Sequence, residues 1–272
     1  MSSTRLLYVR HPNSPNGQIS NIFLPSLNLR IEGATDTIYE GKIGTAPGLV
    51  TTPSGGTHEC DGTNNNANPN PGSTATTALQ SAAGICGFGF DGQQTHSLIP
   101  SPIPYRPYSR FRASSASPVH TNGSRTNIHT GTFDSDFDDF FITSIGPSAE
   151  TATEFWGLLT NLAFTPTGGC QTEVSSGSVE ILWAFNAFNA VSFLTVSPNT
   201  ATLAAGSSMV FNVQGSDGSG ALSPVQGAVF GVTTSDATGN VVYIAPTTPG
   251  YYRVKATRSD SIRSAAVMIH VV

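Results

Sequence analysis

The sequence predicts a mainly β chain in two units, an α+β domain over residues 27–193 and a β-sandwich over 194–272, preceded by an irregular segment 1–26. Three observations carry this. Short apolar runs with period-two alternation recur between turns rich in Gly, Pro and Asn. Two stretches have helical spacing behind a capping residue. Near Phe193 the character changes to short strands separated by frequent turns, the spacing of a small sandwich. A chain of 272 residues suits two domains of ordinary size.

The first strand covers 27–32, where Leu27, Leu29 and Ile31 alternate with Asn28, Arg30 and Glu32. The second covers 37–43. A loop of Gly, Asn and Pro follows from Gly55, with almost no apolar side chains, so burial alone cannot hold it and a covalent tie at Cys60 would. Ser73 or Thr74, behind Pro71 and Gly72, caps a helix running to Cys86, with Leu79, Ala82, Ala83 and Cys86 at helical spacing. That spacing puts Cys86 on the apolar face as a buried free thiol.

Residues 93–130 hold four Arg and five Pro, no Asp or Glu, and no periodic apolar face. They read as an irregular insertion, with His96, His120 and His129 solvated. Asp134 or Ser135 then caps a second helix with Phe137, Phe140, Phe141 and Ile145 as its stripe. Residues 154–164 and 179–185 read as buried strands. The sandwich pattern begins with Leu194, Val196 and Leu203 and continues through Val267, Ile269 and Val271.

Three cysteines leave one over if a disulfide forms. Cys60, four residues after Gly56 of the pair Gly55-Gly56, and Cys170, directly after Gly168-Gly169, both stand in turn-like contexts, which favours Cys60–Cys170, with Cys60–Cys86 as the competing link. Either implies an oxidising, extracellular compartment. An export signal is then expected, yet residues 1–29 lack a long apolar core and carry Pro12, Pro15 and Pro25, so the expectation is a trimmed chain or a different gene start.

Charged residues are 11% of the chain, against roughly 25% in ordinary domains. Ser and Thr supply the polar surface instead, as in many secreted and wall-associated proteins. A formal net charge of -5 argues against nucleic acid as a partner. No run approaches the roughly 20 apolar residues of a membrane span.

The candidate chemistry is sparse. Asp134, Asp136, Asp138 and Asp139 cluster, but an EF-hand would need Gly where Asp139 stands and Glu where Ile145 stands, so acids in a first helical turn are the better reading. His58-Glu59 begins like a zinc-protease motif, yet Gly62 occupies the place of the second His, and no metal or cofactor site is predicted. Neither a Gly-x-Ser-x-Gly elbow nor a phosphate-binding loop is present. Glycoside hydrolysis would require two of Asp61, Asp91, Glu150 and Glu154 to share a cleft. Trp156 and Trp183 lie in apolar strands, where core packing is the default. A carbohydrate contact would use Trp156 with His58, Asp61 and Asn64. Asn122 opens the one glycosylation sequon.

The residues Leu29-Arg30-Ile31-Glu32-Gly33, Ile38-Tyr39-Glu40-Gly41, the Gly55 loop, Phe155-Trp156-Gly157-Leu158-Leu159 and Gly168-Gly169-Cys170-Gln171 resemble secreted proteins of filamentous fungi. Their domain is related to the C-terminal β-domain of transcobalamin. The resemblance covers residues 27–194 apart from the insertion. It implies a β-grasp-like fold with Cys60 and Cys170 as its disulfide. It also implies a direct passage from Gly92 to about Thr132, from which this chain departs. Transcobalamin's helical barrel has no counterpart, so its ligand does not carry over. Residues 224–229, 234–239 and 249–256 resemble bacterial Ig-like or invasin-type sandwiches, which implies a spacer or adhesive module. The functional expectation is a secreted, non-catalytic surface protein that binds a cell-wall polysaccharide or surface protein. A small-ligand carrier using the β-grasp loops is the alternative, and a carbohydrate-active enzyme the second.

Overall fold

A computed structural model describes residues 26–63, 68, 70–93, 139–174 and 179–272, together with the backbone of 7–10 and 19–22. The described residues are mainly β with one α-helix. Strands β1 (Leu7–Arg10) and β2 (Ile19–Ile22) pair antiparallel, so the segment expected to be irregular contains a ladder. Tyr8 and Val9 in the first run and Ile19 and Ile22 in the second are residue types that strands favour.

The first unit is built on a mixed sheet of five strands, β3 (Ser26–Glu32), β4 (Thr37–Gly44), β10 (Trp156–Thr160), β11 (Ala163–Phe164) and β12 (Glu180–Phe185). Their spatial order is β11-β10-β12-β3-β4, with β12 and β3 parallel at the centre and the other pairs antiparallel. Helix α1 (Ala75–Cys86) belongs to the core on one face. Thr74 caps it: its hydroxyl accepts the Thr77 N–H, while the Thr77 hydroxyl accepts the Thr74 N–H. Gly87 ends the helix at φ 74°, the left-handed conformation glycine adopts freely. Ala75, Ala78 and Ala82 line the buried side.

Between sheet and helix elements lie the hairpin β5 (Gly48–Thr52) and β6 (Gly56–Cys60), and a small sheet of β7 (Phe90–Gln93), β8 (Phe141–Ile145) and β9 (Ser148–Ala149). The second helix expected to run to Ile145 is corrected here, because Phe141–Ile145 is a strand. Its aromatic and β-branched residues pair with β7, and Ile142 and Ile145 are buried in the same core. The remainder of that expected helix, and residues 94–130, lie outside the described residues. The chain leaves the described part at Gln93 and is directly opposite at Phe141.

The second unit packs two sheets over one core. In the first, β13 (Ser192–Ser197), β15 (Ser208–Ser216) and β19 (Asn240–Ile244) are joined by β16 (Ser223–Pro224) and β22 (Ser261–Ile262). The second contains β14 (Thr200–Leu203), β23 (Val267–Val271) and β20 (Gly250–Val254), with β14 and β23 parallel. Beyond it, β21 (Ala256–Thr257) pairs with β17 (Val229–Phe230), which pairs with β18 (Thr233–Thr234). Phe211, Phe230 and Tyr243 meet at ring separations of 5.1 to 6.0 Å in the core.

Opposite pairing of Gln93 and Phe141 gives a testable outcome. Replacing residues 94–138 by Asn-Gly shortens the loop about twelve-fold, which lowers the closure cost by about 2 kcal/mol. A variant that melts no lower than the parent by circular dichroism is expected; loss of the folded baseline would show that the segment is structural.

Candidate functional site

Cys60, at the end of β6, is bonded to Cys170, with Cα atoms 4.4 Å apart and both residues fully buried. This decides the pairing. Cys86 is free and exposed in the last turn of α1, not buried as its spacing suggested, because the apolar contacts end one turn earlier at Ala83. The turn around Cys170 also satisfies the start of the helix. Ala75 N–H donates to the Thr172 carbonyl and Thr76 N–H to Gly169, each at 3.1 Å. The Asp139 carboxylate accepts the Cys170 N–H at 3.0 and 3.1 Å and the Phe140 N–H at 2.7 Å. Disulfide, acid and helix N-terminus thus fix one corner of the unit.

His58 is half-buried, edge-on to Phe140 at 5.5 Å, and donates from Nε2 to the Gly55 carbonyl at 2.9 Å. Asp61 accepts from the N–H and hydroxyl of Thr63 at 3.0 and 2.8 Å, closing a local turn. Asn64 and Asn122 lie outside the described residues. Trp156 is 5% exposed, donates Nε1 to the Ser148 carbonyl at 3.2 Å and meets Phe185 edge-on. It is a core residue with no ring face open for a sugar, so it does not join His58 and Asp61 in one surface. The four acids also diverge. Asp91 accepts the N–H and hydroxyl of Ser54 at 2.9 and 2.6 Å. Burial pushes the Glu150 carboxyl up. Glu154 alone lines the cleft described below.

The side of the sheet away from α1 is covered by the second unit. Along β12, Ile181, Trp183 and Phe185 enter the helix-side core, while Leu182 and Ala184 join Leu159, Leu162, Ala187 and Phe193 in a junction cluster. Phe164 stacks on Phe188 at 5.1 Å and stands edge-on to Phe193 at 5.4 Å. Its N–H donates to the Gly218 carbonyl at 2.9 Å. Gly218, at φ 95°, must be glycine, since a Cβ there would lie 2.5 Å from the Phe164 ring.

Charged groups complete the junction. Arg30 and Glu32 on β3 are 2% and 1% exposed. Lys255 Nζ lies 2.6 Å from Glu32 and 2.8 Å from Glu40, Arg263 Nε lies 2.9 Å from Glu32, and Arg253 pairs with Glu40 at 3.2 Å. Arg30 reaches Glu180 at 2.7 Å and the Arg263 carbonyl. Of 12 Lys and Arg in the chain, four converge here. Burial pushes the Glu40 carboxyl up, but hydrogen bonds from Lys255 and the Ala266 N–H, with the charges of Lys255 and Arg253, outweigh it and leave Glu40 below its ordinary value.

Beside this network, between the Gly33–Ala34 turn, the 3-10 turn Ala187–Asn189 and residues 259–263, lies a cleft of about 300 Å³. Sequence reasoning missed its Asn186, Asn189 and Asp260. The signal that could have found the junction is β12, apolar on both faces, beside a strand that alternates with charges.

Cys60→Ser with Cys170→Ser is expected to cost the first unit about 4–5 kcal/mol in the chain-entropy treatment of a long loop. Both tryptophans belong to that unit, so fluorescence should report an earlier melt; an unchanged midpoint would refute it. Glu32→Gln removes the carboxylate that Lys255 and Arg263 share, while Glu40 and backbone carbonyls still hold them, and is expected to cost toward the lower end of the roughly 3–5 kcal/mol seen for broken buried pairs. Fluorescence and far-UV dichroism melts should then separate. Acid should act in the same direction: Glu40 stabilises fully above its ordinary value of 4.5 and loses that contribution as pH falls through its lowered native value. A junction indifferent to pH below 4.5 would contradict this.

No helix among the described residues is long and apolar enough to cross a membrane, and no group of three or more His, Cys, Asp or Glu among them is placed to hold a metal ion. No family model matches the chain, and no curated protein matches its sequence.

Proposed function

We propose that this chain is a secreted, non-catalytic binding protein of a cell wall or extracellular matrix, built as a β-grasp-like domain docked on an Ig-like sandwich. The observation that carries the reading is the junction. A buried ion network and an apolar cluster hold the two units together, so their loops form a preorganised surface rather than beads on a spacer. The β-grasp reading draws support from a five-stranded mixed sheet in which the first and last strands run parallel at the centre and a helix packs across one face. The Ig-like reading draws support from the chain crossing between the two sheets after β13, so that β14 runs parallel to β23. The buried disulfide and the low charge content suit an oxidising, extracellular setting.

The carrier reading finds no support at Trp156, whose surroundings are filled core. The test is retention of the refolded, oxidised chain on chitin, β-glucan and host surface extracts. Saturable retention on at least one is expected, and no retention on any would overturn the reading.

A further inference from the structure

We propose that the cleft between the two units binds a neutral saccharide unit through Asn186 and Asn189. This rests on the reading of the chain as an extracellular binding protein and gives it a site and a ligand class. The cleft is amphipathic. Ala190 and Ile262 supply apolar surface, while Asn186, Asn189 and Glu154 supply polar groups. A pyranose has the same division, with apolar C–H faces and a polar hydroxyl rim.

The two carboxamides are preset. Asn189 Nδ2 donates to the Thr153 carbonyl at 2.9 Å and to Asn186 Oδ1 at 2.6 Å. Two acceptors identify that end of the amide as the nitrogen and occupy both of its N–H bonds. Asn189 Oδ1 and Asn186 Nδ2 remain, an acceptor and a donor for ligand hydroxyls. Sugar hydroxyls, each both donor and acceptor, satisfy both: one donates to Asn189 and another accepts from Asn186. The backbone at Asn186 is left-handed, with φ 57°, which is uncommon for a residue with a side chain and recurs at binding sites.

Charge narrows the ligand further. Arg263 directs its guanidinium to Glu32 and to the Gly33 and Thr35 carbonyls, so it is committed to the junction. Asp260 is paired with Arg258 at 2.6 Å. Glu154 leaves a carboxylate that accepts hydroxyl donors and repels an anion. The volume of about 300 Å³ is at the lower limit of small-molecule sites, suited to a single ring or a chain end.

The experiment is calorimetric titration of the full chain with soluble gluco-, chito- and manno-oligosaccharides, with a sulfated oligosaccharide as the anionic arm and the insoluble polymers alongside. At least one neutral oligosaccharide should bind saturably and the sulfated one should not. Asn189→Ala and Asn186→Gly should each weaken binding about five- to ten-fold with an unchanged melting temperature, glycine being at ease in the left-handed conformation. Ser259→Trp, at an exposed position lining the cleft, should abolish it by filling the space. No binding of any neutral oligosaccharide, or binding that ignores all three substitutions, overturns the proposal. Retention on an insoluble polymer that ignores them overturns the cleft and leaves the broader binding reading standing, whereas no retention of any kind removes both.

Discussion

The carboxylate of Glu32 is 1% exposed and is neutralised by Lys255 and Arg263, which the chain delivers more than two hundred residues later. Taking a carboxylate and its neighbour Arg30 out of water costs several kcal/mol per ion, and only well-placed partners return it. The sheet face that carries them is therefore incomplete alone. It requires the second unit, and the second unit is held in place by the same bonds. Apolar contacts around Phe193 and Leu182 close the rest of the face. Non-directional burial gives the junction its bulk, and the ion pairs give it its register.

The low charge content takes on meaning in that light. Between Ser26 and Val272, the described cations are Arg30, Lys42, Arg253, Lys255, Arg258 and Arg263. All but Lys42 and Arg258 belong to the junction. The outer surface is left to Ser, Thr, Asn and Gly, which interact through hydroxyl and amide groups and are little affected by salt. Such a surface suits recognition of neutral partners at short range better than long-range steering.

Local patterns in the sequence were legible where local physics decides. The alternation at Leu27, Leu29 and Ile31 and the Thr74 cap with its Ala-rich helix each rest on neighbours within a few residues. The same reasoning failed where distant contacts decide. Phe140, Phe141 and Ile145 fit a helical stripe, yet pairing with β7 across a long stretch of sequence draws Phe141–Ile145 into a strand. Cys86 keeps helical phase with Leu79 and Ala82, but the covering layer stops before it reaches the last turn. Trp156 meets the default expectation of core packing, and its alternative use as a carbohydrate contact finds no open ring face. The amide pair in the cleft depends on Thr153, whose distance in sequence hides it.

The bond between Cys60 and Cys170, 110 positions apart in sequence, closes the chain between them into a covalent ring. Helix α1, the β7–β8 ladder and strand β10 are all part of that circuit. A single peptide-bond scission anywhere on it, including residues 94–138, therefore produces no free fragment: the two pieces stay tethered through sulfur and migrate as one molecule until a reductant reaches them. Backbone integrity and molecular integrity are thus separate properties of this protein, and a clipped molecule stays one molecule for as long as that bond stays oxidised.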